Sequence, residues 1–196
     1  MTKHLSPDER TRQIIEAART CFLDKGYFDT KMDDIARAAS LSKGGVYFHF
    51  DSKREIFRAL VSSDYESISA TLAQSVSSSG TMRERLLTLS RSFSEAFTQG
   101  NRARMMVIVS EMSMRDEEVR KEMLTASHSY VEQTCKLLNE GIKQGALRQD
   151  IDVEAVAFLL KTVVDGFQAN AMIGHTLDIE RFAQVSVDMI LRGIEA

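Results

Sequence analysis

Tryptophan is missing from this chain of 196 residues, proline occurs once and cysteine twice. With its single proline at position 7, every later segment lacks the residue that most strongly breaks helices. The two cysteines, Cys21 and Cys135, form no C-x-x-C pattern, which argues against a disulfide framework and suits a reducing compartment. Histidine is sparse as well: His4, His49, His128 and His175 show no H-E-x-x-H or comparable metal spacing. There is no G-x-S-x-G turn, no phosphate-binding glycine loop, and no neighbour in sequence that would activate either cysteine. Catalysis is therefore not expected, and no metal or cofactor is called for. No apolar run reaches the length of a membrane span, and the opening MTKHLSPDER lacks a signal peptide's apolar segment. The expectation is a cytoplasmic protein without a membrane partner.

What is present points one way. The chain is 43% apolar and rich in Ala, Leu, Met, Glu and Arg, the composition of an all-α protein. Its length supports one or two domains with a substantial core. The net charge of −3 argues against a nucleic-acid partner until the chain is divided. Residues 1–58 hold 11 Lys/Arg and 9 Asp/Glu, whereas residues 59–196 hold 14 and 19. The asymmetry is modest, with the sign of a DNA-binding N-terminal part and a body that does not bind DNA.

Helix signals punctuate the whole length. Ser6-Pro7-Asp8-Glu9 supplies an N-cap, a proline at the first helical position and a capping-box glutamate. The helix that follows turns Ile14, Ile15, Ala18, Cys21, Phe22 and Leu23 inward and ends at Gly26. Ahead of it, Lys3 and His4 belong either to an inert tail or to an arm that brushes phosphate. Thr30 with Asp33, and Ser52 with Glu55, have the spacing of two further capping boxes. Between them Ile35, Ala36 and Ala39 form an apolar stripe, Ser40-Leu41 interrupts it, and Ser42 can cap a helix of less than two turns. Beyond Ser52 a helix runs through Ile56, Phe57, Leu60, Val61, Tyr65, Ile68 and Leu72 to a serine-rich break at 75–81. Periodic segments then cover 82–99, 102–114, 117–144, 153–173 and 179–194, about nine helices in all.

The short helix after Ser42 carries the most information. Val46 and Phe50, with Leu41, anchor it, leaving Lys43 with Tyr47 and Gly44 with Phe48 on the outward face. Glycines, aromatics and a cation on one face suit close approach to another molecule, and the DNA major groove takes such a helix. The run Ile35-Ala36, Ala39-Ser40-Leu41-Ser42-Lys43-Gly44-Gly45-Val46-Tyr47-Phe48-His49-Phe50 and Ser52-Lys53 resembles the signature of TetR-type transcriptional repressors. Two positions depart from it. Ser40 stands where a turn glycine is usual, and Gly45 where Thr, Ser or Ala often touches bases, so the operator sequence does not carry over. The resemblance implies base-edge readout by Lys43, Gly44, Gly45 and Phe48 on a helix capped by Ser42. It also implies phosphate contacts from Thr30, Lys31, Tyr47, His49 and Lys53, which position without specifying. His49 has the alternative of a capped surface histidine.

Six of the ten methionines, among them Met105, Met106 and Met112, fall between residues 82 and 123. Thioethers re-pack around varied shapes, so the cluster reads either as plain core or as the lining of an apolar ligand site. The part of the fold that holds the inducer in TetR-type proteins adds Phe93, Phe97, His128, Phe167 and Gln168 to that lining; His128 reads equally well as a surface residue. Asp165 reads as structural, and paired or neutral if buried. Segment 153–173 is apolar nearly all round, so more than one face must be covered. In the family the last two helices meet their symmetry mates in a four-helix bundle, which places Val153, Phe158, Val164, Phe182, Val185 and Met189 at a homodimer interface.

The reading is an all-α chain with a helix-turn-helix DNA-binding domain over residues 1–52. Residues 53–196 form a ligand-binding and dimerisation domain, joined to the first by the helix from about 53. It implies a repressor released from a near-palindromic operator on double-stranded DNA by a small apolar inducer. Two alternatives stand beside it: a DNA-binding regulator without an effector, and a protein-interaction module.

Overall fold

The computed structural model describes residues 6–76, 79–98, 101–175 and 178–196; side chains at 72, 75, 76 and 93–98 also lie outside the description. The described residues form nine helices. They are α1 (Pro7–Asp29), α2 (Met32–Ala38), α3 (Lys43–Tyr47), α4 (Lys53–Val76) and α5 (Met82–Thr98). After these come α6 (Arg102–Ser113), α7 (Glu117–Lys143), α8 (Val153–Met172) and α9 (Ile179–Ile194). The chain is all-α, and its contacts divide it into two units: residues 1–64 with 104–122, and residues 65–103 with 123–196.

In the first unit α1 begins as its sequence dictates. Glu9 N–H donates to Ser6 Oγ at 3.2 Å, and Glu9 Oε2 accepts from Ser6 N–H at 2.7 Å. Gly26, at φ 78° and ψ 166°, breaks the helical backbone, a conformation only glycine adopts without strain. Ile14, Ala18, Phe22, Ile35, Val46, Ile56, Phe57 and Leu60 are fully buried and form the core. Phe57 packs edge-on against Phe22 and Tyr27, with ring centres 5.5 and 5.0 Å apart. Polar bonds then set the geometry. Gln13 Nε2 donates to the Ala39 carbonyl at 2.8 Å, and Arg19 forks onto Asp64 with two bonds of 2.7 Å.

The turn between α2 and α3 is a Schellman motif: Leu41 N–H donates to the Ala36 carbonyl at 2.9 Å and Ser40 N–H to Arg37 at 3.1 Å. Ser40 occupies the left-handed position at φ 54°, the only non-glycine with positive φ among the described residues. The missing turn glycine therefore leaves local strain, as its absence from the sequence implies. The expected cap of α2 is displaced by one residue. Asp34 Oδ2, not Asp33, accepts a backbone N–H at 3.0 Å, from Lys31, while Thr30 points inward. By side chain the Thr30 register is the better cap, since a lysine ammonium cannot accept from a backbone N–H, but the buried Thr30 hydroxyl is committed to the end of α1.

The α6–α7 corner belongs to this unit. Asp116, only 2% exposed, accepts from Arg54 Nε at 2.5 Å, from an Arg58 guanidinium N–H at 2.9 Å and from Glu118 N–H at 3.0 Å. Those bonds, the arginines first, hold its carboxyl well below the usual range. Beside it the Arg115 guanidinium lies 5.1 Å from the Phe28 ring centre, and Arg104 donates to the Leu23 carbonyl at 2.8 Å.

The second unit is built around Leu86, Leu89, Tyr130, Leu137, Leu138, Leu160, Val164 and Val187, all buried. Helices α5 and α9 pack together and are joined by Arg83–Asp188 (2.6 Å) and Arg91–Glu180 ion pairs, while Arg85 reaches Glu140 on α7 at 2.7 Å. Gly141 permits the closest approach: a Cβ there would lie 2.6 Å from Met82 Cε and 2.8 Å from Leu147 Cδ1. Asp152 and Asp178 cap α8 and α9, accepting from Ala155 and Arg181 N–H at 3.0 Å each. Lys161, itself buried, pairs with the half-buried Asp165 at 2.6 Å, so neither charge is left alone. Both cysteines are free.

Candidate nucleic-acid interface

Five residues make a helix too short to stand alone, and packing holds α3 in place. Ser42 Oγ accepts from Gly45 N–H at 3.0 Å to start it, and the buried Val46 and Phe50 pin its inner side. The opposite side carries Lys43, Gly44, Tyr47 and Phe48, all exposed. Phe48 is 85% exposed, and its ring stands edge-on to the half-buried His49 at 5.3 Å. A phenyl ring so far out of the core contributes little to folding by burial.

The two glycines differ. A Cβ at Gly45 would meet Ser42 Oγ at 3.3 Å and Leu41 Cβ at 3.7 Å, whereas one at Gly44 would find only Ser42 Oγ, at 4.0 Å. The fold therefore has room for a side chain at Gly44, and packing within the chain does not call for a glycine there. Lys43 Nζ lies 2.9 Å from Asp33 Oδ1, and that carboxylate raises the ammonium's pKa.

Two residues expected at phosphates have other work. The Thr30 hydroxyl is turned inward, 1% exposed, and donates to the Cys21 and Gly26 carbonyls at 3.1 and 2.7 Å. Lys53 Nζ donates to the carbonyls of Tyr27 (2.5 Å), Phe28 (3.1 Å) and Thr30 (2.6 Å) and sits 4.5 Å from the Tyr27 ring centre. It satisfies the C-terminal end of α1, and burial lowers its pKa. Lys31 is exposed. Sequence reasoning missed Asp33 as the partner of Lys43, having placed it in a cap. It also missed the Arg54–Asp116–Arg58 cluster, whose one sequence signal is two arginines four apart on a helix.

Of the residues expected at an interface on α8 and α9, Phe158, Phe182, Val185 and Met189 are exposed and Val153 is half-buried. Val164 departs from the set: at 1% exposure it is core of its own unit, and Leu159 is the exposed residue instead. A hollow of about 510 Å³ opens on α8 beside Asp152, Glu154, Ala155, Phe158, Leu159 and Thr162. The residues expected around a ligand fall into separate groups. Met105 and Met112 are buried and Met106 half-buried in the first unit. In the second, Phe167 is buried with its ring centre 6.1 Å from Phe182, and Gln168 Nε2 is buried without a hydrogen-bond partner. His128 is exposed on α7, which favours its surface reading. The side chains of Phe93 and Phe97 lie outside the described residues. No group of three metal-binding side chains occurs among the described residues, and no helix among them is long and apolar enough to cross a membrane.

A capped helix, a tight turn and a short outward-facing helix held by buried Val46 define a helix-turn-helix DNA-binding protein. Residues 14–60 match the profile of bacterial regulatory proteins of the tetR family, and residues 105–185 that of the tetracyclin repressor-like C-terminal domain. The chain belongs to the TetR family of transcriptional regulators. It is 27% identical over 173 residues to the HTH-type transcriptional repressor AcnR of Corynebacterium efficiens, covering 88% of this chain and 87% of that one. A putative TetR-family regulator from Mesorhizobium loti superposes with a TM-score of 0.85 at 21% identity, covering 98% of this chain and 100% of the other. The transcriptional regulator FadR of Bacillus subtilis, solved with stearoyl-CoA, gives 0.75 at 20% identity over 93% and 98%.

Proposed function

We propose that the protein is a cytoplasmic, homodimeric repressor that leaves a near-palindromic operator when a small apolar inducer binds. The observation that carries the DNA half is the outward face of α3, where Lys43, an open Gly44 and the exposed ring of Phe48 stand together. Two such helices, one per protomer, would enter successive major grooves roughly 34–36 Å apart, so operator symmetry mirrors protein symmetry. Lys43 and Phe48 read base edges; Lys31, Tyr47 and His49 lie on phosphates. Residues 1–52 carry this activity and residues 53–196 the effector and dimer functions.

Exposed Phe158, Leu159, Phe182, Val185 and Met189 support the dimer, because so much apolar surface on two helices is covered in a stable assembly. The inducer is assigned to the helical domain. Buried methionines support an apolar ligand, and the stearoyl-CoA in complex with FadR carries a long apolar tail beside its charged coenzyme A group. It acts by favouring a conformation whose recognition helices no longer match the operator, transmitted along α4; a ligand with equal affinity for both conformations would shift nothing.

The test is to incubate purified protein with fragmented DNA of its own genome and sequence the retained pieces. A shared near-palindrome, with affinity falling steeply as salt rises, is the expected result. No enrichment at low salt, from protein that releases no small molecule on denaturation, would overturn the reading.

A further inference from the structure

Asp33 stands on the same exposed surface as the recognition face of α3, where an acidic group opposes a polyanion. It is 57% exposed, and Lys43, 2.9 Å away, is 59% exposed. The cap of α2 does not need it, since Asp34 takes the Lys31 N–H and pairs with Lys25 at 2.8 Å. The first turn of α2 favours a carboxylate through the helix dipole, but neither the cap bond nor DNA affinity requires one at this position.

We infer that Asp33 is a specificity-determining positioning residue, which holds Lys43 at the start of α3 and withholds its ammonium from phosphates. Lysine is a point charge on a flexible four-carbon stem, and a released one bonds to any phosphate within its sweep. An ammonium has three donors. With one held by Asp33, the others remain for acceptors that face α3 across the groove, such as guanine O6 and N7, and the ion pair survives. A phosphate elsewhere would require Lys43 to swing away, leaving the carboxylate unpaired beside the DNA. The pair therefore penalises non-specific binding more than binding to the correct base. This inference rests on the reading of α3 as the recognition helix.

The experiment measures binding against salt for the intact protein and for Asp33→Asn, Lys43→Gln and the double variant. The probes are a random duplex of about 30 bp, long enough for two half-sites a turn apart, and a duplex selected from a randomised pool. Asp33→Asn is expected to bind the random duplex several-fold tighter at low salt. Its log–log salt slope should steepen by about 0.9 for each Lys43 released, about 1.8 per dimer. The preference for the selected duplex should fall by roughly fivefold or more. In the Lys43→Gln background the same substitution should leave the slope unchanged. Asp33→Ala repeats the measurement without an amide oxygen that could still accept from Lys43, and thermal melting confirms that each variant is folded. An equal effect of Asp33→Asn with and without Lys43, or no gain on the random duplex, overturns the inference and leaves α3 as the reader. Unchanged binding of Lys43→Gln to both duplexes overturns the α3 reading instead.

Discussion

Arg54 donates from Nε to Asp116 at 2.5 Å, joining the first turn of α4 to the residue just ahead of α7, 62 positions along the chain. Arg58, one turn further along α4, holds the other carboxylate oxygen. Breaking a buried ion pair leaves its surviving partner poorly solvated, and Asp116 is the buried member here, with Arg54 56% exposed. Arg54→Ala, which leaves the buried carboxylate with one arginine, is therefore expected to cost about 2–3 kcal/mol, below the range for fully enclosed pairs. A fall in Tm of roughly 5–10 °C would register it.

The same carboxyl sets an acid limb. Its folded pKa is depressed by the two arginines, so its stabilisation is present above the unfolded pKa of about 3.9 and is lost as pH drops below that. Thermal melts of the protein and of Asp116→Asn should stay a constant distance apart from neutral pH down to about pH 5, then converge below about pH 4. A gap that persists in acid would show that Asp116 is not the titrating group.

Ser40 spends strain in the turn before α3. Its left-handed φ of 54° is suited to glycine, and the Schellman bonds on either side require that conformation. Ser40→Gly is expected to stabilise the protein by about 0.5–1 kcal/mol, the relief of strain being offset in part by glycine's extra chain entropy. A Tm rise of roughly 1–4 °C measures it. No rise would mean that the serine is comfortable where it stands.

Much of this fold was legible in residue order because its devices are local. Ser6 with Glu9, Ser42 with Gly45 and Gly26 each act within a few positions, and the two faces of α3 announce themselves by the alternation of Val46 and Phe50 with Lys43 and Tyr47. The failures came where a choice depended on distant atoms. Thr30 is the better cap by its hydroxyl, and residue order does not say that the end of α1 will claim that hydroxyl and move the register to Lys31. Lys53 carries no sign that it will reach carbonyls 23 to 26 residues back. On α8, apolar almost all round, periodicity could not say that Val164 faces in and Leu159 out.

Gly44 separates folding from binding. With no atom closer than 4.0 Å to a built Cβ, Gly44→Ala should fold without clash and gain up to about 1 kcal/mol from helix propensity. The added methyl would stand on the face that approaches DNA, so affinity for the selected duplex should fall tenfold or more, about 1.4 kcal/mol. Melting and binding measured on one preparation are expected to move in opposite directions. If both rise together, α3 does not press against DNA at this position.

The exposed stripe on α8 and α9 yields the last prediction. Met189 is 71% exposed beside Val185 on α9, and Phe158 is 60% exposed on α8. If a second copy covers them, a carboxylate at either position would be buried without a partner at a cost of several kcal/mol. Met189→Glu and Phe158→Glu should then sediment at the 22.0 kDa of one chain, at concentrations where the unaltered protein has twice that mass. Helicity should be unchanged and binding to a two-half-site duplex strongly weakened. Val164→Ala supplies the contrast. Val164 is core of its own protomer, so the substitution should lower stability by about 2 kcal/mol and leave the mass as it was. Should the unaltered protein run as a single chain, these residues do not mediate self-association in solution, and the two-fold operator geometry loses its support.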